Sequence, residues 1–157
     1  SRFFHHIVGF CGVFVMLVEK ELGIGVAMAL VPGGSLATHV ARYGALGAST
    51  ARKVVKQVAR ALELVHAVGA THRGVCPEAI MLVDPVDVSE VVLGCFGHAV
   101  LNGDEEWRDP EERGIPGYLA PEVLSGGASG CPADIYSLGA VVTFMLQGRP
   151  LHGTGNS

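Results

Sequence analysis

The chain has 157 residues, room for one domain or part of a larger one. Hydrophobic residues make up 49% and the mean hydropathy is +0.41, which excludes intrinsic disorder as an overall description. A formal net charge of −4 gives no general attraction to nucleic acid or to an anionic membrane. Glycine, at 22 residues, is about twice its ordinary usage and predicts many turns. The first residue is Ser1, so an internal piece or a processed product is expected.

An apolar run of 12 residues, 7–18, is too short to span a bilayer, which takes about 20. Glu19-Lys20-Glu21 follows it where a signal peptide would carry small cleavage-site residues. Its valines and phenylalanines predict a buried strand, and 24–31 a second, antiparallel to it across the charged turn. Pro32-Gly33-Gly34 breaks the pattern, and Ser35 is placed to cap a short helix to about residue 43. Ser49 or Thr50 is expected to cap the longest helix, which runs to about 68. Its apolar Val54, Val55, Val58, Ala61, Leu62 and Val65 recur at intervals of three and four, opposite a wetter face, and Gly69 stops it.

Short strands are predicted over 80–83 and 88–93, with Asp84-Pro85 turning between them. Residues 94–117 read as a long polar loop rich in Asp and Glu, and loops of that length are usually functional or mobile. From Pro132 a helix to about 147 is apolar on nearly all sides and is expected to be buried. Cys11, Cys76, Cys95 and Cys131 lie far apart with no C-x-x-C spacing, the pattern of reduced thiols in a cytosolic protein. With no membrane or export signal, the expected location is cytoplasmic.

Short motifs mean little singly, but their joint order is specific. After the long helix comes His72-Arg73 in THRGVCPEAIML (71–82), then Phe96-Gly97 in VVLGCFGHA (91–99). GYLAPEVL (117–124) follows, and twelve residues beyond Glu122 lies Asp134-Ile135-Tyr136-Ser137-Leu138-Gly139. The chain resembles a eukaryotic-type protein kinase domain, nearer the serine/threonine than the tyrosine type. The resemblance implies an α+β fold with small-lobe strands and hinge over 1–31. A mainly helical large lobe would fill 32–157, truncated after its sixth helix. Residues 25–40 resemble the hinge and the helix after it, with Ala29 and Val31 at the hinge positions. The family's glycine-rich loop, strand lysine and helix glutamate have no counterpart in the chain.

Judged by that resemblance, the chemistry is missing. The aspartate that orients the substrate hydroxyl corresponds to Gly74, and the lysine that contacts the transferred phosphate to Cys76. The asparagine and aspartate that hold magnesium correspond to Ala79 and Cys95. Magnesium takes hard oxygen ligands, which neither a methyl group nor a thiol replaces. No catalytic residue, metal site or cofactor is therefore expected, with ATP and magnesium only if activity survives.

The structural positions are kept. The resemblance stacks His72 on Phe96 and Phe10, has Asp134 accept hydrogen bonds from the loop backbone, and retains Arg73, Gly97 and Glu122. Asp134 also reads simply as a helix N-terminal cap. No Ser, Thr or Tyr lies between Phe96 and Gly117, and Ile115 stands where the family often has threonine. The acidic Asp104-Glu105-Glu106 is either a constitutive counter-charge to Arg73 or a solvated loop.

The reading reached is a pseudokinase that binds or regulates other proteins, an active kinase or signalling component among them. Nucleic acid and membrane are not expected as partners. A weakly active serine/threonine kinase and a non-functional gene fragment remain as alternatives. The fragment would expose two strands with open edges and apolar surface. A further alternative sets Cys76, Cys95 and His98 as a zinc or reversible disulfide site.

Overall fold

The computed structural model describes residues 6–18, 21–101 and 115–149. A hairpin comes first, β1 (Phe10–Val18) antiparallel to β2 (Glu21–Met28), in a register from Val18 opposite Glu21 to Phe10 opposite Met28. Helices α1 (Leu36–Tyr43) and α2 (Ala48–Ala67) follow. Then come β3 (Ala70–Thr71), β4 (Ile80–Leu82), β5 (Val91–Leu93) and β6 (Val100–Leu101). The last elements are α3 (Pro121–Leu124) and α4 (Cys131–Gln147). The pairs β3–β6 and β4–β5 are both antiparallel, so this is an α+β arrangement.

The core is where α2, α4 and the β4–β5 pair meet. Val54, Val58 and Leu62 of α2 face Val141 and Met145 of α4 and Ile80 and Leu93 of the strands in one buried cluster. Burying each such side chain contributes about 1.5–3 kcal/mol. A polar clasp fixes the strand pair to the helix. The Gln57 amide donates to the Ser89 carbonyl (3.0 Å) and accepts from the Val91 N–H (3.1 Å).

Helix α1 begins as its residues predict, with Ser35 Oγ accepting from the Thr38 N–H at 3.2 Å. Helix α2 does not. It opens at Ala48 behind Gly47, with no side-chain cap from Ser49 or Thr50. The entry is set from outside the helix: Leu46 packs on the core and its N–H donates to the Met145 carbonyl at 2.7 Å. The strand expected over 88–93 shortens to Val91–Leu93. Asp84 accepts from the Val86 and Asp87 N–H groups, and Asp87 from Ser89, which holds that stretch in turns. Helix α4 buries a stripe that includes Asp134 and Ser137 but leaves Ile135 and Leu146 exposed, so it is not apolar-buried all round.

The expectation that residues 7–18 form a buried strand is overturned. Val13, Val15, Leu17, Leu22, Ile24 and Val26 are all exposed, because among the described residues the hairpin pairs with no further strand. Two-stranded hairpins are marginal alone, which matches its apolar composition to an open surface rather than a core. Residues 102–114 lie outside the described part of the chain, and with them the suggested pairing of Arg73 with residues 104–106.

Candidate functional site

The site forms where the loop after β3, the turn after β5 and the start of α4 converge. Asp134 sits in the first turn of α4, 1% exposed. One carboxylate oxygen accepts from the Arg73 N–H at 2.8 Å. The other accepts from the His72 N–H (2.9 Å) and from His66 Nε2 (2.8 Å) at the end of α2. Asp134 therefore does more than cap its own helix: it gathers three donors from α2 and the loop. Arg73 has a φ of +64°, a conformation costly for a non-glycine residue, and its N–H is held there by the carboxylate.

His72 is fully buried. Its Nδ1 accepts from the Gly74 N–H at 3.2 Å, so the proton lies on Nε2, which donates to the Gly94 carbonyl at 2.8 Å. The ring meets Phe96 edge-on, centroids 4.6 Å apart. Burial lowers the His72 pKa below 6.5, partly offset by the Gly94 carbonyl and the Asp134 charge. The folded state thus favours the neutral ring. Its contribution is complete above pH 6.5 and is lost as pH falls from 6.5 towards the folded value, because the unfolded chain then binds more protons. Nitrogen-resolved NMR should show His72 titrating below an ordinary histidine, its neutral ring carrying the proton on Nε2. A His72 that titrates with or above an ordinary histidine, or that carries its proton on Nδ1, would contradict the assigned network.

Phe10 does not join this stack. It is 68% exposed on the hairpin, and Val8, 8% exposed, packs with Phe96, Val31 and Val92 instead. The chain reaches this position two residues earlier, where Val8 donates to the Leu93 carbonyl at 2.9 Å. Val31 lies in that buried cluster, and the Ala29 N–H is engaged by the Gly9 carbonyl at 2.7 Å.

Gly94 ties Cys76, Ala79 and Cys95 to His72. Its N–H donates to the Ala79 carbonyl (2.8 Å), its carbonyl accepts from His72, and Cys95 follows it. The Ala79 N–H in turn donates to the Cys76 carbonyl at 3.1 Å. Ala79 is fully buried, while Cys95, at a φ of +58°, is exposed. A Cβ built on Gly74 would stand 3.3 Å from the His98 ring, with no carboxylate to offer. Gly97 follows in the turn Phe96–His98.

These residues do not fit a magnesium ion. A glycine, a buried methyl group and a thiol supply none of the hard oxygens it requires, and the buried Asp134 carboxylate is committed to three donors. Cys76 is buried, and desolvation pushes its thiol up to about 12, so it is protonated at neutral pH and a poor nucleophile or ligand. Among the described residues all four cysteines are free, and no three His, Cys, Asp or Glu side chains come together to hold a metal.

The segment 117–124 is anchored below the site. Tyr118 is buried and meets Phe144 of α4 edge-on at 6.4 Å. Burial raises its hydroxyl pKa, keeping it neutral. Ala120 and Val123 pack with Ala133, and Glu122 is exposed, its carbonyl accepting from Gly127 at 2.7 Å. Two members of the site, His66 and Val8, have no signal in the sequence. His66 lies 68 residues from its partner in an otherwise ordinary amphipathic helix.

Comparison with known sequences matches residues 2–157 to the protein kinase domain. A probable myosin light chain kinase of Dictyostelium discoideum is 31% identical over 85% of this chain and 38% of its own length. A probable serine/threonine-protein kinase of Plasmodium falciparum is 33% identical over 84% of the chain and 26% of its own length. The human calcium/calmodulin-dependent protein kinase type 1B is 30% identical over 84% of the chain and 38% of its own length. The chain thus spans about a quarter to two-fifths of these relatives. Among the described residues, no helix is long and apolar enough to cross a membrane.

Proposed function

This chain belongs to the protein kinase family, and we propose from that premise that it is a catalytically impaired member, a pseudokinase whose kinase-like body binds and regulates other proteins. One observation carries the reading. The frame of Asp134, His72 and Arg73 is bonded throughout, while the positions it holds in place are Gly74, Cys76, Ala79 and Cys95. A frame kept to this degree serves the shape of the loop whether or not phosphate is transferred. Losing the general base alone costs about 10²–10⁴ in rate, and phosphoryl transfer depends further on magnesium to neutralise charge. Partners are then other proteins, an active kinase or another signalling component among them.

A second reading, a serine/threonine kinase of weak activity in a longer form, is favoured by the names of the relatives. A thermal melt with and without ATP and Mg²⁺ separates the two. A ligand at 100 times its dissociation constant adds about 2.7 kcal/mol, several degrees for a chain of this size. The expected result is no magnesium-dependent shift. A shift of several degrees that disappears with chelator would favour the kinase reading.

A further inference from the structure

The outward face of α2 carries a row of cations that the fold does not use. Arg52, Lys53, Lys56 and Arg60 are all exposed, four of the chain's eleven Lys and Arg within nine residues. At 1.5 Å per residue they span about 12 Å along the helix. Arg52–Lys56 and Lys56–Arg60 are like-charged pairs at i, i+4, and Lys53–Lys56 one at i, i+3, spacings that weaken a helix. The row also begins near the positive end of the helix dipole, in a helix with no acidic residue in its first turn and no side-chain cap. None of the four makes an ion pair with a side chain among the described residues. The closest relief is Asp87, whose carboxyl is lowered chiefly by its hydrogen bonds from Ser89 and only last by Lys53. Like-charged spacings and an uncompensated first turn gather on one face while the opposite face packs normally, and such departures mark functional surfaces.

We infer that this face of α2 is a docking site for an extended acidic segment of a partner protein, read by Arg52, Lys53, Lys56 and Arg60. The chemistry selects that occupant. The row is too short for the six to ten phosphate contacts of about an ordinary duplex-binding surface. The exposed Asp84, Asp87 and Glu90 and a net charge of −4 confine the attraction to the row itself, which favours a short acidic segment over a long polyanion or an anionic bilayer. The same helix face holds no large apolar side chain to enter a membrane; its other members are Ser49, Glu63 and Ala67. Three or four carboxylates on an extended strand, at about 3.3 Å per residue, match the span. The site lies outside the Gly74–Cys95 cleft and does not depend on whether that cleft binds nucleotide.

The test uses the 157-residue chain and a fluorescent peptide of eight alternating Glu and Asp residues, followed by anisotropy at low and physiological salt. Binding is expected at low salt and weakens as salt rises. Lys56→Glu and Arg60→Glu should each weaken it by about tenfold, whereas Arg42→Glu on α1 should leave it unchanged. Lys56→Glu also places a carboxylate one turn from both Arg52 and Arg60, so the same variant should melt higher than the parent. A parent that does not bind the peptide overturns the proposal, as does binding that Arg42→Glu weakens equally. So does tighter binding to a duplex oligonucleotide or to phosphatidylserine vesicles. A Lys56→Glu variant that binds as tightly as the parent also overturns it, whatever its melt.

Discussion

Asp134→Ala is expected to destabilise the chain by about 3–5 kcal/mol, the loss associated with breaking a buried charged network. The carboxylate is almost wholly buried and takes three hydrogen bonds, from the His72 N–H, the Arg73 N–H and His66 Nε2. Alanine leaves all three donors without that acceptor, and each unsatisfied buried donor costs about 1–3 kcal/mol. The left-handed Arg73 also loses the group that holds it in place. A total stability of about 5–15 kcal/mol is typical of such domains, so this one change removes a large share. Urea denaturation, with helicity as the signal, measures it. Asp134→Asn should fall between, because its amide keeps one oxygen acceptor but turns an N–H₂ towards another donor. A loss below about 1 kcal/mol for the alanine variant would mean that the network contributes shape but little stability.

Gly33→Ala should cost about 2–4 kcal/mol and detach the turn at 32–34 from β4, although it adds a single methyl group. The turn docks through two backbone bonds, Gly33 N–H to the Leu82 carbonyl (2.9 Å) and Leu82 N–H to the Gly34 carbonyl (2.8 Å). A Cβ on Gly33 would overlap the carbonyl oxygens of Leu82 and Asp84. These are backbone atoms, held by the β4–β5 pair, so no rotamer change relieves the overlap. One or both docking bonds must break, and Val31 and α1 lose their fixed approach to the core. Hydrogen exchange should show the Gly33 and Leu82 amides losing protection together. A variant with unchanged stability and unchanged protection at Leu82 would show that β4 yields more readily than its packing implies.

These two sites were not equally legible. Asp134 stands out in the sequence because the motif order puts it twelve residues beyond Glu122, and its role as acceptor for the loop follows from the family resemblance. Gly33 reads only as one residue of a turn. That it must be glycine depends on the carbonyls of Leu82 and Asp84, about fifty residues away, which no local pattern reports. The same holds for α2, whose best local caps, Ser49 and Thr50, are bypassed because Leu46 is already anchored to α4.

What the sequence determined by itself was everything carried by spacing and residue chemistry. That includes the α+β order of elements and the kinase-like series of motifs. Periodicity and composition act over a few residues, so they survive without a fold. Tertiary structure decided which partner each group meets. It chose Val8 over Phe10 beside Phe96, brought His66 to Asp134, fixed the His72 proton on Nε2, and left the apolar hairpin on the surface. Those outcomes turn on contacts between residues tens of positions apart. There the close packing of a core, rather than the preference of any one residue, selects the neighbour.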